Sequence, residues 1–284
     1  MAILFSHLHP LWVEYNEGIT IYWRSNMFSY KNTTSELSES GTETAIIPVG
    51  ATEQFGPFLP MHLDSLIAEK YAEAYGKALN AYVLPVLPFN TSEEHAGFKG
   101  TVTVSPNVLT AMLEEIMINL SRQGFKKFVL CSGHGGSYWE AAFIKHFNYK
   151  YSDLLLIHAH HNHQAWEKAM AAAQFDELNE LHGGLLSVCT ALWLCPELVH
   201  LEPMGSDIPI ESRKYADFMG WEKLTSDGCW GHYEPGIHTP EELAEKGKIF
   251  WTSFIDNKCA GLKEVLEESY RLKNLTRKRN PYHE

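Results

Sequence analysis

The sequence predicts an α/β fold, a three-layer α/β/α sandwich around a mainly parallel sheet. Three observations carry that prediction. Short apolar runs at Ala45–Val49, Tyr82–Leu87, Phe128–Cys131 and Leu154–Ala159 have the length of buried strands. Segments with apolar residues at helical spacing separate them, and strands alternating with such helices pair in parallel with helices on both faces. Polar loops bearing Glu53, His62, Asp64 and His134 then follow the runs, where open α/β sheets place their ligand sites.

Taken in order, residues 1–43 read as an N-terminal arm or edge segment. Trp12, Tyr22 and Trp23 lie there among polar residues, and the Ser/Thr/Glu-rich stretch from Lys31 to Thr44 reads as a surface loop. Ala45–Val49 is the candidate central strand. Leu66, Ile67, Tyr71, Ala74 and Tyr75 mark a helix that Gly76 or Asn80 could end. Pro85 interrupts the second strand, which implies an edge or a bend. Ser105-Pro106 starts a helix that runs to Gln123, with Gly124 as its stop. Another helix begins near Tyr138, after the third strand. Residues 184–195 read as a buried helix and 203–239 as loop. Thr239 is a plausible cap for helical material from Pro240 to Asn274. The main domain is therefore expected over 44–275, with a frayed tail at 276–284.

Bulk properties narrow the function. The 284 residues are 45% hydrophobic, enough for a sizeable core. A formal charge of −12 argues against nucleic acid or an anionic membrane as partner. Five dispersed cysteines suggest no disulfide framework, and no stretch reads as a signal peptide or membrane helix, so a cytoplasmic location is expected. No glycine-rich phosphate loop is present.

Glu53, Asp64 and His134 form the candidate constellation. A hard or borderline divalent ion takes carboxylate oxygens and an imidazole and leaves a position open for water. Each of the three follows a strand or starts a helix at one sheet edge, so sequence distance does not keep them apart. By composition alone a plainer reading stands beside this one. Asp64 would cap the helix at Ser65, Glu53 would be solvated, and His134 would sit in a glycine turn for backbone reasons.

The loop Gly50-Ala51-Thr52-Glu53-Gln54-Phe55-Gly56-Pro57-Phe58-Leu59-Pro60, followed by Asp64, resembles the opening signature of the creatininase (creatinine amidohydrolase) family. Ser132-Gly133-His134-Gly135-Gly136 resembles its Asn-Gly-His-Gly-Gly block. Glu94-His95 through Gly100-Thr101 resembles a loop that the family places over its pocket, with Lys99 in place of a proline. Leu181-His182-Gly183-Gly184 resembles the segment bearing its proton-shuttling histidine. Asp227-Gly228-Cys229-Trp230-Gly231 and Glu245-Lys246-Gly247 resemble its close, more weakly.

The resemblance implies metal-dependent opening of an amide or cyclic-amide C–N bond by ion-activated water. Glu53, Asp64 and His134 would be ligands, Glu53 and His182 catalytic groups, and His182 the proton donor to the leaving nitrogen. His95, Phe55, Phe58, His62, Gly135 and His161 would meet a small-molecule substrate. One zinc or manganese ion, or iron, is expected, in a homo-oligomer that the family makes a hexamer. Phe55 and Phe58 replace two family histidines, and neither Leu185 nor Gly136 supplies the family's further acid. A second metal slot is therefore expected to be dismantled, unless His62 or one of His160, His161 and His163 takes over. The loop His158–His163 otherwise reads as a polar rim. Two other classes remain: a single-ion lyase or isomerase acting on a cyclic or sugar-like ketone, and a non-catalytic binding protein.

Overall fold

Six residues of nearly unbroken apolar character, Thr44–Val49, make the central strand, and every one of them is buried. In chain order the elements of the computed structural model begin with Phe28–Ser29 (β1), Thr34–Ser40 (α1), Thr44–Val49 (β2), Leu63–Leu79 (α2) and Tyr82–Val83 (β3). Pro106–Ser121 (α3), Lys127–Ser132 (β4), Glu140–Lys150 (α4), Leu155–His158 (β5), Ala165–Ala172 (α5) and Leu185–Leu194 (α6) follow. Met204–Gly205 (β6), His232–Tyr233 (β7), Pro240–Cys259 (α7) and Leu262–Lys273 (α8) complete them. The structure describes residues 27–159, 161–175, 182–205 and 214–275. Trp12, Tyr22, Trp23, His160 and the tail 276–284 lie outside them.

The main sheet has the order β1-β3-β2-β4-β5, and all its pairings are parallel. Side chains alternate across it. Ala45, Ile47, Val49, Phe128, Leu130 and Leu156 pack with Leu109, Leu113 and Met117 of α3 and Phe143 and Phe147 of α4. Ile46, Val129, Cys131, Leu155 and Ile157 pack on the opposite face with α2, α6, α7 and α8. Two apolar layers thus enclose the sheet, as expected of a parallel one. Phe128 is fully buried against Phe147, with ring centroids 6.3 Å apart. Phe128→Ala is expected to cost about 3–5 kcal/mol, read as a lower denaturation midpoint in urea.

The structure corrects one local expectation and refines two. The stretch read as a loop after Lys31 contains α1, because Thr33 and Glu36 form a reciprocal capping box. Tyr82–Leu87 is not one strand. Pro85 has no N–H for the ladder, so regular pairing stops at Val83 and resumes as a single bridge between Val49 and Leu87. The C-terminal helical material is two helices, parted where Gly261 turns left-handed at φ 77°. Asn80, at φ 51°, ends α2.

This topology fixes where a site can form. From β2 the chain moves to β3 on one side, through α2 on one face. It then crosses by α3 on the other face to β4 and β5. The loops after β2 and β4 therefore diverge to opposite faces and leave a crevice at the strand carboxyl ends. No helix among the described residues is long and apolar enough to cross a membrane, and no cysteine among them is in a disulfide.

Candidate metal centre

Glu53 leaves the end of β2, Asp64 stands in the first turn of α2, and His134 follows β4, so the crevice receives all three. One donor atom from each lies within 4.8 Å of the other two. The local fold forces this approach. Gly133 packs directly on α2, where a Cβ would overlap the Asp64 carbonyl oxygen and come within 2.7 Å of Ala68 N. Its own N–H donates to the Val49 carbonyl at 3.0 Å.

Hydrogen bonds at the outer atoms set the inner ones. His134 Nε2 lies 2.6 Å from the Thr91 carbonyl oxygen, which can only accept, so Nε2 carries a proton. Its Nδ1 then faces Asp64 Oδ2 at 2.9 Å and Glu53 Oε1 at 3.3 Å. Ser92 Oγ donates to Glu53 Oε2 at 2.7 Å, turning the other carboxylate oxygen inward. Glu53 is only 1% exposed and Asp64 4%. Two buried carboxylates this close require a cation or a proton between them. Burial pushes the Glu53 carboxyl up, and the Asp64 charge adds to that. Burial opposes charge on His134, but hydrogen bonds to and the charges of Asp64 and Glu53 outweigh it and hold the imidazole well above its ordinary range. The donor set thus fits a divalent ion. A carbonyl anchoring the far nitrogen of a ligand histidine is the usual support for such a site.

A second group shares Glu53. His95, His182 and Glu53 also offer three atoms within 4.8 Å of one another. His95 Nε2 and His182 Nδ1 are each 3.7 Å from Glu53 Oε1, and the two rings stack at 4.2 Å. These imidazoles stand beside the first centre, and they are not the histidines proposed as replacement ligands for a second ion. Burial lowers both groups' affinity for a proton, and nearby His182 and His134 lower that of His95 further. Phe55 stacks on His182 at 4.2 Å, so an apolar ring supports the imidazole from the position where the family signature has a histidine.

The cleft over these groups has a volume of about 1120 Å³. Of the expected substrate contacts, Phe55, His95 and Gly135 line it. Phe58, His62 and His161 do not. Phe58 packs partly buried on the core, and its carbonyl accepts from His200 N–H at 3.3 Å. His62 is the residue that precedes α2, and its carbonyl accepts the first helical N–H groups. His161 is tied to the Ala260 carbonyl at 2.8 Å, at the far end of α7. Leu185 starts α6 and packs against the core. At Gly136, a Cβ would overlap Glu94 Oε1, so a carboxylate from the neighbouring loop occupies the space where a family acid is absent. Burial pushes that carboxyl up.

Sequence reasoning missed Thr91, Ser92 and Trp221, and it gave Gln54 and Glu94 no role. Trp221 meets the His95 ring edge-on at 4.6 Å. The Asp227–Gly231 segment supports the site from behind without lining the cleft. Trp230 pairs with His182 through backbone hydrogen bonds, and the Gly228 carbonyl accepts from Gln54 Nε2 at 2.9 Å.

These features define a parallel α/β protein with a buried carboxylate–imidazole centre at its switch point. The chain belongs to the creatininase family: residues 31–260 match the family model described as creatinine amidohydrolase. It is 36% identical over 113 residues to a mycofactocin precursor peptide peptidase of Mycolicibacterium smegmatis, covering 37% of this chain and 44% of the relative. It is 26% identical over 161 residues to a 3-dehydro-scyllo-inosose hydrolase of Thermotoga maritima, covering 55% and 52%. The chain thus spans about half the length of these curated relatives, or less. A crystal structure of a candidate creatinine amidohydrolase from Bacteroides fragilis superposes with a TM-score of 0.67 at 23% identity, covering 86% of this chain and 98% of that one. A mutant creatininase of Zn-Zn type (TM-score 0.63) and a manganese creatininase (0.62) do so at 18% identity, each over 84% of this chain and 98% or 99% of theirs. At such identities the likeness is one of fold.

Proposed function

We propose that this chain is a metal-dependent hydrolase of an amide or cyclic-amide C–N bond, holding one divalent ion between Glu53, Asp64 and His134. One observation carries the reading: His134 Nδ1 faces two buried carboxylates while its Nε2 is held by a carbonyl. Zinc or manganese is the expected ion, in keeping with the printed descriptions of the fold neighbours. Such an ion, when bound, polarises a carbonyl oxygen and makes water a better nucleophile near neutral pH.

The chain's own groups supply the rest. His182 Nε2 hydrogen-bonds the Gln54 carbonyl, which leaves Nδ1 bare and facing Glu53. That atom takes a proton from the attacking water and delivers it to the departing nitrogen. Phe55, His95 and Trp221 wall the reacting region, and Gly135 leaves room beside it, since no atom lies within 4 Å of a Cβ built there. The substrate is a small molecule or a short peptide end. The relatives' names include a peptidase, which supports C–N cleavage, while creatinine itself is not favoured because Phe55 and Phe58 change the signature loop. Assembly as a homo-oligomer in the cytoplasm belongs to the same proposal and is checked by light scattering and fractionation.

A second reading has one specific support, the Thermotoga relative named as a hydrolase of a cyclic inosose. Action on a sugar-like ketone would use the same ion and the same His182 base. Release of an amine separates the two: the first reading requires it, the second does not.

The direct test is metal content after purification in zinc. About one equivalent per chain is expected, and His134→Ala should lose most of it. Unchanged occupancy in that variant removes the ligand assignment, and none in the unsubstituted chain leaves a binding protein on a family scaffold.

A further inference from the structure

The Glu53–His95–His182 group meets the distance needed for a second ion, but the hydrogen bonds around Gln54 argue otherwise. Gln54 is buried, and two partners of single polarity fix which way its amide points. The Gly56 N–H can only donate, and it lies 2.6 Å from Oε1. The Gly228 carbonyl can only accept, and it lies 2.9 Å from Nε2. The same Nε2 is 2.8 Å from His95 Nδ1. An amide NH₂ has two protons to give and no lone pair to offer, so His95 Nδ1 must accept. The ring proton of His95 therefore sits on Nε2, the atom turned to Glu53. A proton on both nitrogens would set Nδ1–H against Gln54 N–H, donor against donor. Flipping the amide would bring the same conflict to the Gly56 N–H and face the Gly228 carbonyl with an oxygen.

The backbone of the same residue does the reverse to His182. The Gln54 carbonyl accepts a hydrogen bond from His182 Nε2–H, so Nδ1 of the neutral ring is left bare. Two stacked imidazoles, both 3.7 Å from Glu53 Oε1, thus present opposite atoms to one place: N–H from His95 and a lone pair from His182.

We propose that Gln54 is a positioning residue that sorts the two histidines, so that His95 gives a hydrogen bond to the substrate carbonyl oxygen where a second ion would otherwise sit. This rests on the amide-hydrolase reading above. As charge builds on that oxygen, a fixed N–H in a water-poor site stabilises it without reorganisation. Phe55 on the outer face of His182 and Trp221 at the edge of His95 hold the pair in place. A histidine whose Nε2 carries a proton has no lone pair there for a metal. The chain is therefore a one-ion protein by virtue of an amide, as well as by lost ligands.

The test uses the full chain labelled with nitrogen-15 histidine, with long-range proton–nitrogen spectra recorded before and after zinc, and zinc titrations alongside. His95→Ala identifies the His95 signals. The expected result is His95 protonated on Nε2 in both states, zinc saturating at about one equivalent, and one equivalent still bound by His95→Ala. Gln54→Glu replaces the NH₂ donor with an acceptor, so it should move the His95 proton to Nδ1 and raise zinc binding to about two equivalents. A wild-type His95 protonated on Nδ1 overturns the proposal. So does a wild type that binds two equivalents and drops to one in His95→Ala. A folded Gln54→Glu chain whose His95 has switched but which still binds one equivalent also overturns it. If Gln54→Glu does not fold, the wild-type spectra and the His95→Ala stoichiometry decide. No zinc uptake with His95 protonated on Nε2 overturns the hydrolase reading and leaves the sorting by Gln54 intact.

Discussion

Glu53→Gln is expected to weaken zinc binding at least about 100-fold, or roughly 2.7 kcal/mol. Glutamine keeps the size of the side chain and an oxygen for the Ser92 hydroxyl, so the site need not collapse. It removes the charge that both histidine groups share, in a place only 1% exposed. Loss of a merely supporting group around a metal commonly costs 10–100-fold in affinity, so loss of a ligand should reach the top of that range. A competition titration against a chelator reads the effect. The same change should not harm the metal-free chain. Burial holds the Glu53 carboxyl above its ordinary value, which means that its charge destabilises the fold at neutral pH. The metal-free melting temperature should therefore stay level or rise. Affinity within a few-fold of wild type would show that Glu53 is no ligand.

Gly133→Ala should be strongly damaging, since a Cβ there makes the shortest clash found at any of the described glycines. The added carbon would overlap the Asp64 carbonyl oxygen and crowd Ala68 N, and both are backbone atoms of α2 that cannot turn aside. Overpacking of this kind costs about 1–3 kcal/mol where side chains can give, and the upper end is expected here. The strain would push the start of α2, and Asp64 with it, away from His134, so zinc uptake should fall along with stability. Gly135→Ala is the control, because nothing lies within 4 Å of a Cβ at that position. Its unfolding midpoint should match the wild type. Equal midpoints for both variants would mean that β4 and α2 do not meet as closely as described.

What the sequence made legible was local. The apolar run ending at Val49, the helical spacing from Leu66 to Tyr75 and the Gly-His-Gly-Gly turn each carry their meaning within a few residues. Parallel alternation then brought Glu53, Asp64 and His134 to one edge without further information. What stayed hidden depends on contacts between distant segments. Thr91 touches His134 across 43 positions and Ser92 touches Glu53 across 39, and neither residue type announces a ligand's support. Gln54 was visible as part of a motif, but its role depends on Gly228, 174 positions away. His161 and His62 misled for the opposite reason. A histidine near a strand end looks available until the chain shows its ring tied to Ala260, or its place before a helix. The Glu94 carboxylate beside Gly136 could not be read from an absent side chain there.

The most direct test is anomalous diffraction from crystals soaked in manganese or zinc. One peak is predicted, within about 2.0–2.3 Å of Glu53 and Asp64 oxygens and His134 Nδ1, with none between His95 and His182. No peak among Glu53, Asp64 and His134, in a soaked crystal that binds the ion elsewhere, would contradict the account.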